Sequence, residues 1–139
     1  MGFSWAPHGR TLRDDEPARD TAPSSGLPRE PARNLAILTC IDCRIDPLAA
    51  LGLRLGDAVV LRNAGGQWSD DVVRSLTLAH KRLGVSQLHV LAHTDCAAHG
   101  GDDDVARAVA DRTAARLGSA LPDLRVEVSM LDVANRGSG

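Results

Sequence analysis

Short apolar runs alternate with longer amphipathic stretches from about residue 34 onward. Residues 35–39 form a short continuous apolar run, which is typical of a strand covered on both faces of a parallel sheet. Residues 57–62, 87–92 and 124–133 are predicted to form three further strands. The chain therefore contains at least four candidate strands.

The stretch 69–83 has the clearest helical pattern in the chain. Ser69 is a good N-cap, and Gly84 is a suitable residue to end the helix. One apolar face follows the helical repeat and is formed by Val72, Val73, Leu76, Ala79 and Leu83. A second long helix is predicted over residues 102–117, and a short helix after Asp46.

Strands that alternate with helices predict βαβ units. We therefore expect an α/β fold of three layers, with a mostly parallel central sheet of four to five strands and flanking helices. Residues 1–33 differ, because they hold five of the seven prolines, many charges and no sustained apolar period. We interpret 1–33 as an extended or flexible N-terminal arm and 34–139 as a single domain.

Composition narrows the classes of partner. The 139 residues are 43% hydrophobic and carry a formal net charge of −2, which gives no reason to expect a nucleic acid or an anionic membrane as partner. We find no apolar run of about 18 residues and no signal-peptide pattern in the first ten residues, so we predict a cytoplasmic protein. In that compartment the three cysteines favour metal binding or catalysis over disulfides.

Two potential metal ligands directly follow predicted strands. Cys40 follows the first strand and His93 follows the third, and the carboxyl ends of parallel strands share one edge of a sheet. Cys96 comes three residues after His93 and can reach the same point. Two thiolates and one imidazole suit zinc, and three protein ligands leave the fourth tetrahedral position for chemistry. We predict one Zn²⁺ per chain, bound by these three residues.

A charged pair accompanies the first ligand. Asp42 and Arg44 are two residues apart in the predicted loop after Cys40 and are suited to a charge-assisted hydrogen bond. Arg44 would keep Asp42 ionised, and Asp42 would then accept a hydrogen bond from a zinc-bound hydroxide. Without Arg44, the Asp42 carboxylate could bind the metal and close the fourth position.

Three motifs resemble those of the β-class carbonic anhydrases: Cys40-x-Asp42-x-Arg44, Arg62-Asn63-Ala64-Gly65-Gly66 and His93-Thr94-Asp95-Cys96. The resemblance implies a zinc-dependent α/β enzyme that reversibly hydrates carbon dioxide to bicarbonate with a metal-bound hydroxide. It implies metal-ligand roles for Cys40, His93 and Cys96, and a gating role for Asp42 and Arg44. The chain departs from the family pattern at Cys43, where the family usually has Ser or Ala, and in its shorter C-terminal part.

Two other functions remain open at this stage. Carbonyl sulfide and carbon disulfide hydrolases look like members of the same family with the same ligands, so the small-molecule substrate is not decided by the motifs. Alternatively, Cys43 could join the other three ligands in a closed four-ligand site, which would make the chain a non-catalytic zinc-stabilised scaffold.

Other residues allow two interpretations each. Asp95 is expected either to cap a helix or to hydrogen-bond a ligand. His99 is either a proton shuttle or an exposed loop residue. The resemblance and the unpartnered arm predict a homodimer or a dimer of dimers, with the arm packed on the neighbouring subunit.

Overall fold

The computed structural model of the chain describes residues 26–133. The elements are β1 (Leu35–Cys40), α1 (Pro47–Ala50), β2 (Ala58–Asn63), α2 (Asp70–Leu83), β3 (Gln87–His93), a 3₁₀ turn (Ala97–His99), α3 (Asp103–Ala120) and β4 (Arg125–Leu131). Residues 26–33 form turns and irregular backbone, and the rest of the predicted arm lies outside the described residues. Within residues 26–133, we find no helix with the length and apolar character that a membrane span requires.

The four described strands form one parallel sheet in the order β2-β1-β3-β4. This confirms the predicted α/β fold with a parallel central sheet. Because crossovers between parallel strands are right-handed, the reversal of direction after β2 places α1 on one face and the two long helices on the other. β1 and β3 are hydrogen-bonded neighbours, so the residues at their carboxyl ends lie side by side.

Two apolar clusters fill the spaces above and below the sheet. The larger one packs α2 and α3 against the sheet through fully buried residues that include Leu38, Leu76 and Leu117. The smaller one lies on the α1 side and is built from Ile37, Cys40, Ile45, Leu91 and Cys96. Two of the predicted metal ligands are therefore part of a hydrophobic core, which holds their side chains in place.

Local signals in the sequence account for most element ends. The Ser69 side chain accepts a hydrogen bond from the Val72 N–H at 3.2 Å, and Gly84 ends α2 in the left-handed conformation with φ 76°. α3 continues to Ala120, so the predicted end at residue 117 was wrong by three residues. Gly118 continues the helix, and a Cβ atom there would make an ordinary contact of 3.8 Å with Val126 of β4.

Candidate metal centre

The three predicted ligands meet at the carboxyl edge of the sheet. One ring nitrogen of His93 and the sulfurs of Cys40 and Cys96 all lie within 4.8 Å of one another. The three side chains are buried, with 2–5% of their surface exposed. Cys43 is exposed and does not belong to this cluster, although the closed four-ligand arrangement requires it.

The tautomer of His93 is fixed by a backbone contact. Its Nδ1 lies 2.7 Å from the carbonyl oxygen of Thr94, and a carbonyl can only accept a hydrogen bond. Nδ1 therefore carries the proton, and Nε2 presents a lone pair. Within residues 26–133, Nε2 is the buried side-chain nitrogen or oxygen that has no hydrogen-bond partner. Such an atom is costly to bury, and a metal ion would satisfy it.

The two sulfurs are spaced as ligands of one ion. Cys40 Sγ and Cys96 Sγ are 3.9 Å apart, and two thiolates on one tetrahedral zinc with bonds of about 2.3 Å lie about 3.8 Å apart. Burial raises the pKa of the Cys96 thiol, and neighbouring Cys40 adds to this, while the backbone N–H groups of Ala98 and His99 oppose it. A divalent cation reverses the balance by stabilising both thiolates. The donor set therefore fits zinc.

The turn after β2 contacts Cys40, the first predicted ligand. The Gly65 N–H donates a hydrogen bond to Cys40 Sγ at 3.3 Å. This approach depends on Gly66, which is buried with φ 58° and lies against β1. A Cβ atom at Gly66 would stand 2.8 Å from the carbonyl carbon of Thr39. The glycine pair is thus both a tight turn and a close approach of backbone to the site.

Asp42 and Arg44 form the predicted pair. Arg44 Nη2 lies 2.7 Å from Asp42 Oδ2, and Nε lies 3.0 Å from Oδ1, which makes the contact bidentate. The hydrogen bonds from the Arg44 side chain, and then from its backbone N–H, hold the pKa of the Asp42 carboxyl well below its usual range. Asp42 is therefore ionised at neutral pH, and its Oδ2 lies 3.8 Å from His93 Nδ1.

Two further contacts were not foreseen from the sequence. The Arg62 guanidinium donates to the backbone carbonyls of Cys40 and Asp42, both at 2.8 Å, and so holds the loop that carries the pair. Asp95 binds Arg44, with Oδ2 at 3.2 Å from Nη1, instead of either predicted role. His99 is half-buried, and its ring lies beside Gly65.

Comparisons with known proteins agree with this geometry. A sequence model described as carbonic anhydrase matches residues 35–130. Beta-carbonic anhydrase 1 of Mycobacterium tuberculosis is 40% identical over 111 residues, which is 76% of this chain and 68% of the relative. A carbon disulfide hydrolase of Saccharolobus solfataricus is 45% identical over 71 residues, which is 51% of this chain but 34% of the relative.

A solved structure extends the comparison to the fold. The carbonic anhydrase from Streptococcus mutans superimposes with a TM-score of 0.66 at 32% identity, covering 80% of this chain and 82% of that one. The parallel sheet, the site at its carboxyl edge and the match over most of the chain lead to one assignment. The chain belongs to the β-carbonic anhydrase family.

Proposed function

We propose that the protein catalyses the reversible hydration of carbon dioxide to bicarbonate, with one Zn²⁺ held by Cys40, His93 and Cys96. The observation that carries the proposal is the buried, unpartnered Nε2 of His93 beside two sulfurs 3.9 Å apart. Family membership supports it, since the tuberculosis relative is a β-carbonic anhydrase and matches over two thirds of its own length.

The bound ion would lower the pKa of water in its fourth position to about 7, so that a hydroxide nucleophile is available at neutral pH. The protein contributes the rest. The Thr94 carbonyl keeps the Nε2 lone pair of His93 available, and the Gly65 N–H stabilises negative charge on the Cys40 sulfur.

Asp42 is suited to orienting the nucleophile. As an ionised carboxylate it can only accept hydrogen bonds, so it fixes the position of a neighbouring water proton and leaves a lone pair for the substrate carbon. Arg44 maintains this state in two ways. It keeps the carboxylate charged, and its bidentate contact would keep the carboxylate out of the fourth metal position.

Stopped-flow measurement of carbon dioxide hydration by zinc-loaded protein tests the proposal. Loss of a group that only hydrogen-bonds a metal ligand typically lowers metal affinity or activity 10- to 100-fold. Cys96→Ala removes a proposed ligand itself, so the hydration rate should fall by more than about 100-fold. Cys43→Ser is the matched control, because Cys43 is exposed and outside the cluster, and it should retain the wild-type rate. A wild-type protein without hydration activity would refute the proposal.

Hydrolysis of carbon disulfide or carbonyl sulfide is the second candidate. It is favoured by the 45% identity to a carbon disulfide hydrolase, although that match covers 34% of the hydrolase. Both substrates are linear and electrophilic at carbon, so the same residues would serve. Sulfide release and carbon dioxide hydration should be measured on one preparation, and the higher kcat/KM identifies the activity.

We also propose a homodimer or a dimer of dimers, because large apolar side chains on and beside the edge strand β2 are exposed. These are Leu27, Ile41, Leu55 and Val60, with 39–64% of their surface exposed. Light scattering should report at least a dimer at micromolar concentration, and Val60→Asp should weaken it. Leu78→Asp, on exposed α2 surface away from this patch, is the control. A wild-type monomer would contradict the proposal.

We also propose that the protein is located in the cytoplasm. All three cysteines of the chain are free, and thiolate ligands persist best in a reducing compartment. Cell fractionation with an antibody to the protein tests this directly, and recovery outside the cytoplasmic fraction would contradict it.

A further inference from the structure

One guanidinium joins the two loops that carry the metal ligands. Arg44 lies in the loop after Cys40, and its Nη2 and Nε contact Asp42 of the same loop. Its other side faces Asp95, in the loop between His93 and Cys96. There Nη1 lies 3.2 Å from Asp95 Oδ2, and Nη2 lies 3.0 Å from the Asp95 carbonyl oxygen. Arg44 therefore has acidic partners on both loops.

Asp95 has an unusual backbone conformation that serves this contact. Its φ of 53° is in the left-handed region, and among residues 26–133 Asn34 is the other non-glycine residue with positive φ. In this conformation one residue presents both its carbonyl oxygen and its carboxylate to the same guanidinium. The Asp95 N–H donates to Asp103 Oδ1 at 2.9 Å, which ties the loop to the start of α3. The strained residue is thus held by contacts on both sides.

We propose that Asp95 is a positioning residue that anchors Arg44 and thereby keeps the Asp42 carboxylate off the metal. Asp42 Oδ2 is 3.8 Å from His93 Nδ1, and carboxylates are good zinc ligands. The Arg44 side chain is 40% exposed and that of Asp95 is 57% exposed. Since an exposed ion pair alone fixes a side chain poorly, Arg44 depends on both of its acidic partners together. With Asp42 as its one partner, Arg44 could move together with Asp42. A second anchor on the other ligand loop prevents that movement.

The inference rests on the proposed metal site, and azide binding to cobalt-substituted protein tests it without measuring turnover. Azide competes for the position that Asp42 would occupy, and it changes the visible absorption of the cobalt ion. The apparent Kd of azide equals the intrinsic Kd divided by the fraction of protein in which that position is accessible. Any shift of Asp42 onto the metal therefore appears as weaker azide binding.

Asp95→Gly is the main variant, because glycine adopts the left-handed backbone without strain and removes the carboxylate. We expect azide binding to weaken by about fivefold or more. Loss of a nearby negative charge alone would strengthen the binding of an anion, so the direction of the change is diagnostic. Asp95→Asn, which also tolerates this backbone, should weaken binding less. Asp111→Asn removes an exposed carboxylate of α3 and should leave the Kd unchanged.

Repeating Asp95→Gly in an Asp42→Asn background identifies the competing ligand. The weakening should disappear there, because an amide is a poor replacement for the carboxylate as a metal ligand. Equal or tighter azide binding in Asp95→Gly, or an undiminished effect in the Asp42→Asn background, would overturn the inference. Wild-type protein that binds cobalt and azide but does not hydrate carbon dioxide would refute the proposed function alone. Failure to bind cobalt would contradict both.

Discussion

A methyl group added at Gly66 would press on the strand that carries Cys40. The Cβ of Gly66→Ala would stand 2.8 Å from the carbonyl carbon of Thr39 and 3.0 Å from the backbone nitrogen of Cys40. Both atoms belong to the backbone of the central strand β1, so they cannot move aside as the end of a flexible side chain can. Gly66 also has φ 58°, where alanine is strained.

Gly66→Ala should lower the free energy of unfolding for two reasons of similar size. A left-handed conformation costs a non-glycine residue about 1–2 kcal/mol, and overpacking a close contact costs about 1–3 kcal/mol. Gly52→Ala is a matched control, because Gly52 has φ 71° and no atom within 4 Å of the added Cβ. It shares the conformational cost and lacks the contact. The free energy of unfolding should therefore fall by about 1–3 kcal/mol more for Gly66→Ala than for Gly52→Ala.

Urea unfolding of the two zinc-loaded variants measures this difference, and competition with a chelator measures zinc affinity. Displacement of β1 reaches Cys40, so Gly66→Ala should also bind zinc about 10- to 100-fold more weakly. Gly52→Ala should bind zinc as wild type does. If the free energies of unfolding of the two variants agree within about 0.5 kcal/mol and both bind zinc equally, the contact between Gly66 and β1 has no energetic cost.

Three further predictions concern the metal, the His89 side chain and the contacts of Arg62 with the loop after Cys40. Protein with free zinc at 1,000 times its Kd should have a free energy of unfolding about 4 kcal/mol higher than protein stripped of zinc by a chelator. An unchanged melting temperature after chelation would show that the metal does not stabilise the fold. His89 Nε2 contacts Ser129 Oγ at 2.6 Å, and burial lowers the pKa of His89, so the folded state favours neutral imidazole. The contribution of neutral His89 to the free energy of unfolding is therefore complete above pH about 6.5 and is lost as the pH falls. In urea titrations, the free energy of unfolding of His89→Gln should fall less steeply between pH 7 and 5 than that of the wild type. Arg62→Ala should reduce kcat for hydration about 10- to 100-fold, because the carbonyls of Cys40 and Asp42 lose their shared donor. Arg62→Lys should not restore kcat. An unchanged kcat in either variant would show that Arg62 does not position this loop for catalysis.

The fold could be predicted because its signals are local. The strand at residues 35–39 is a continuous apolar run, and the helix from Asp70 has a serine cap before it and a glycine after it. The end of α3 was predicted three residues early. Glycine is common just after a helix, whereas Gly118 lies within α3, which ends at Ala120.

The site could be predicted only in part. Cys40 and His93 are the last residues of β1 and β3, which are neighbours, so the topology alone brings these two predicted ligands together. The contact between Arg44 and Asp95 spans 51 residues and depends on a left-handed backbone at an aspartate. No periodicity or local motif encodes such a contact. The tautomer of His93 likewise depends on the position of one carbonyl oxygen.

X-ray absorption at the zinc edge of the resting protein identifies the atoms that bind the metal. Binding by Cys40, His93 and Cys96 predicts two sulfurs at about 2.3 Å, with one nitrogen and one oxygen at about 2.0–2.1 Å. Cys43→Ser should give the same spectrum. Three sulfurs and one nitrogen in the wild type, reduced to two sulfurs in Cys43→Ser, would show a closed four-ligand site that includes Cys43 and has no position for water.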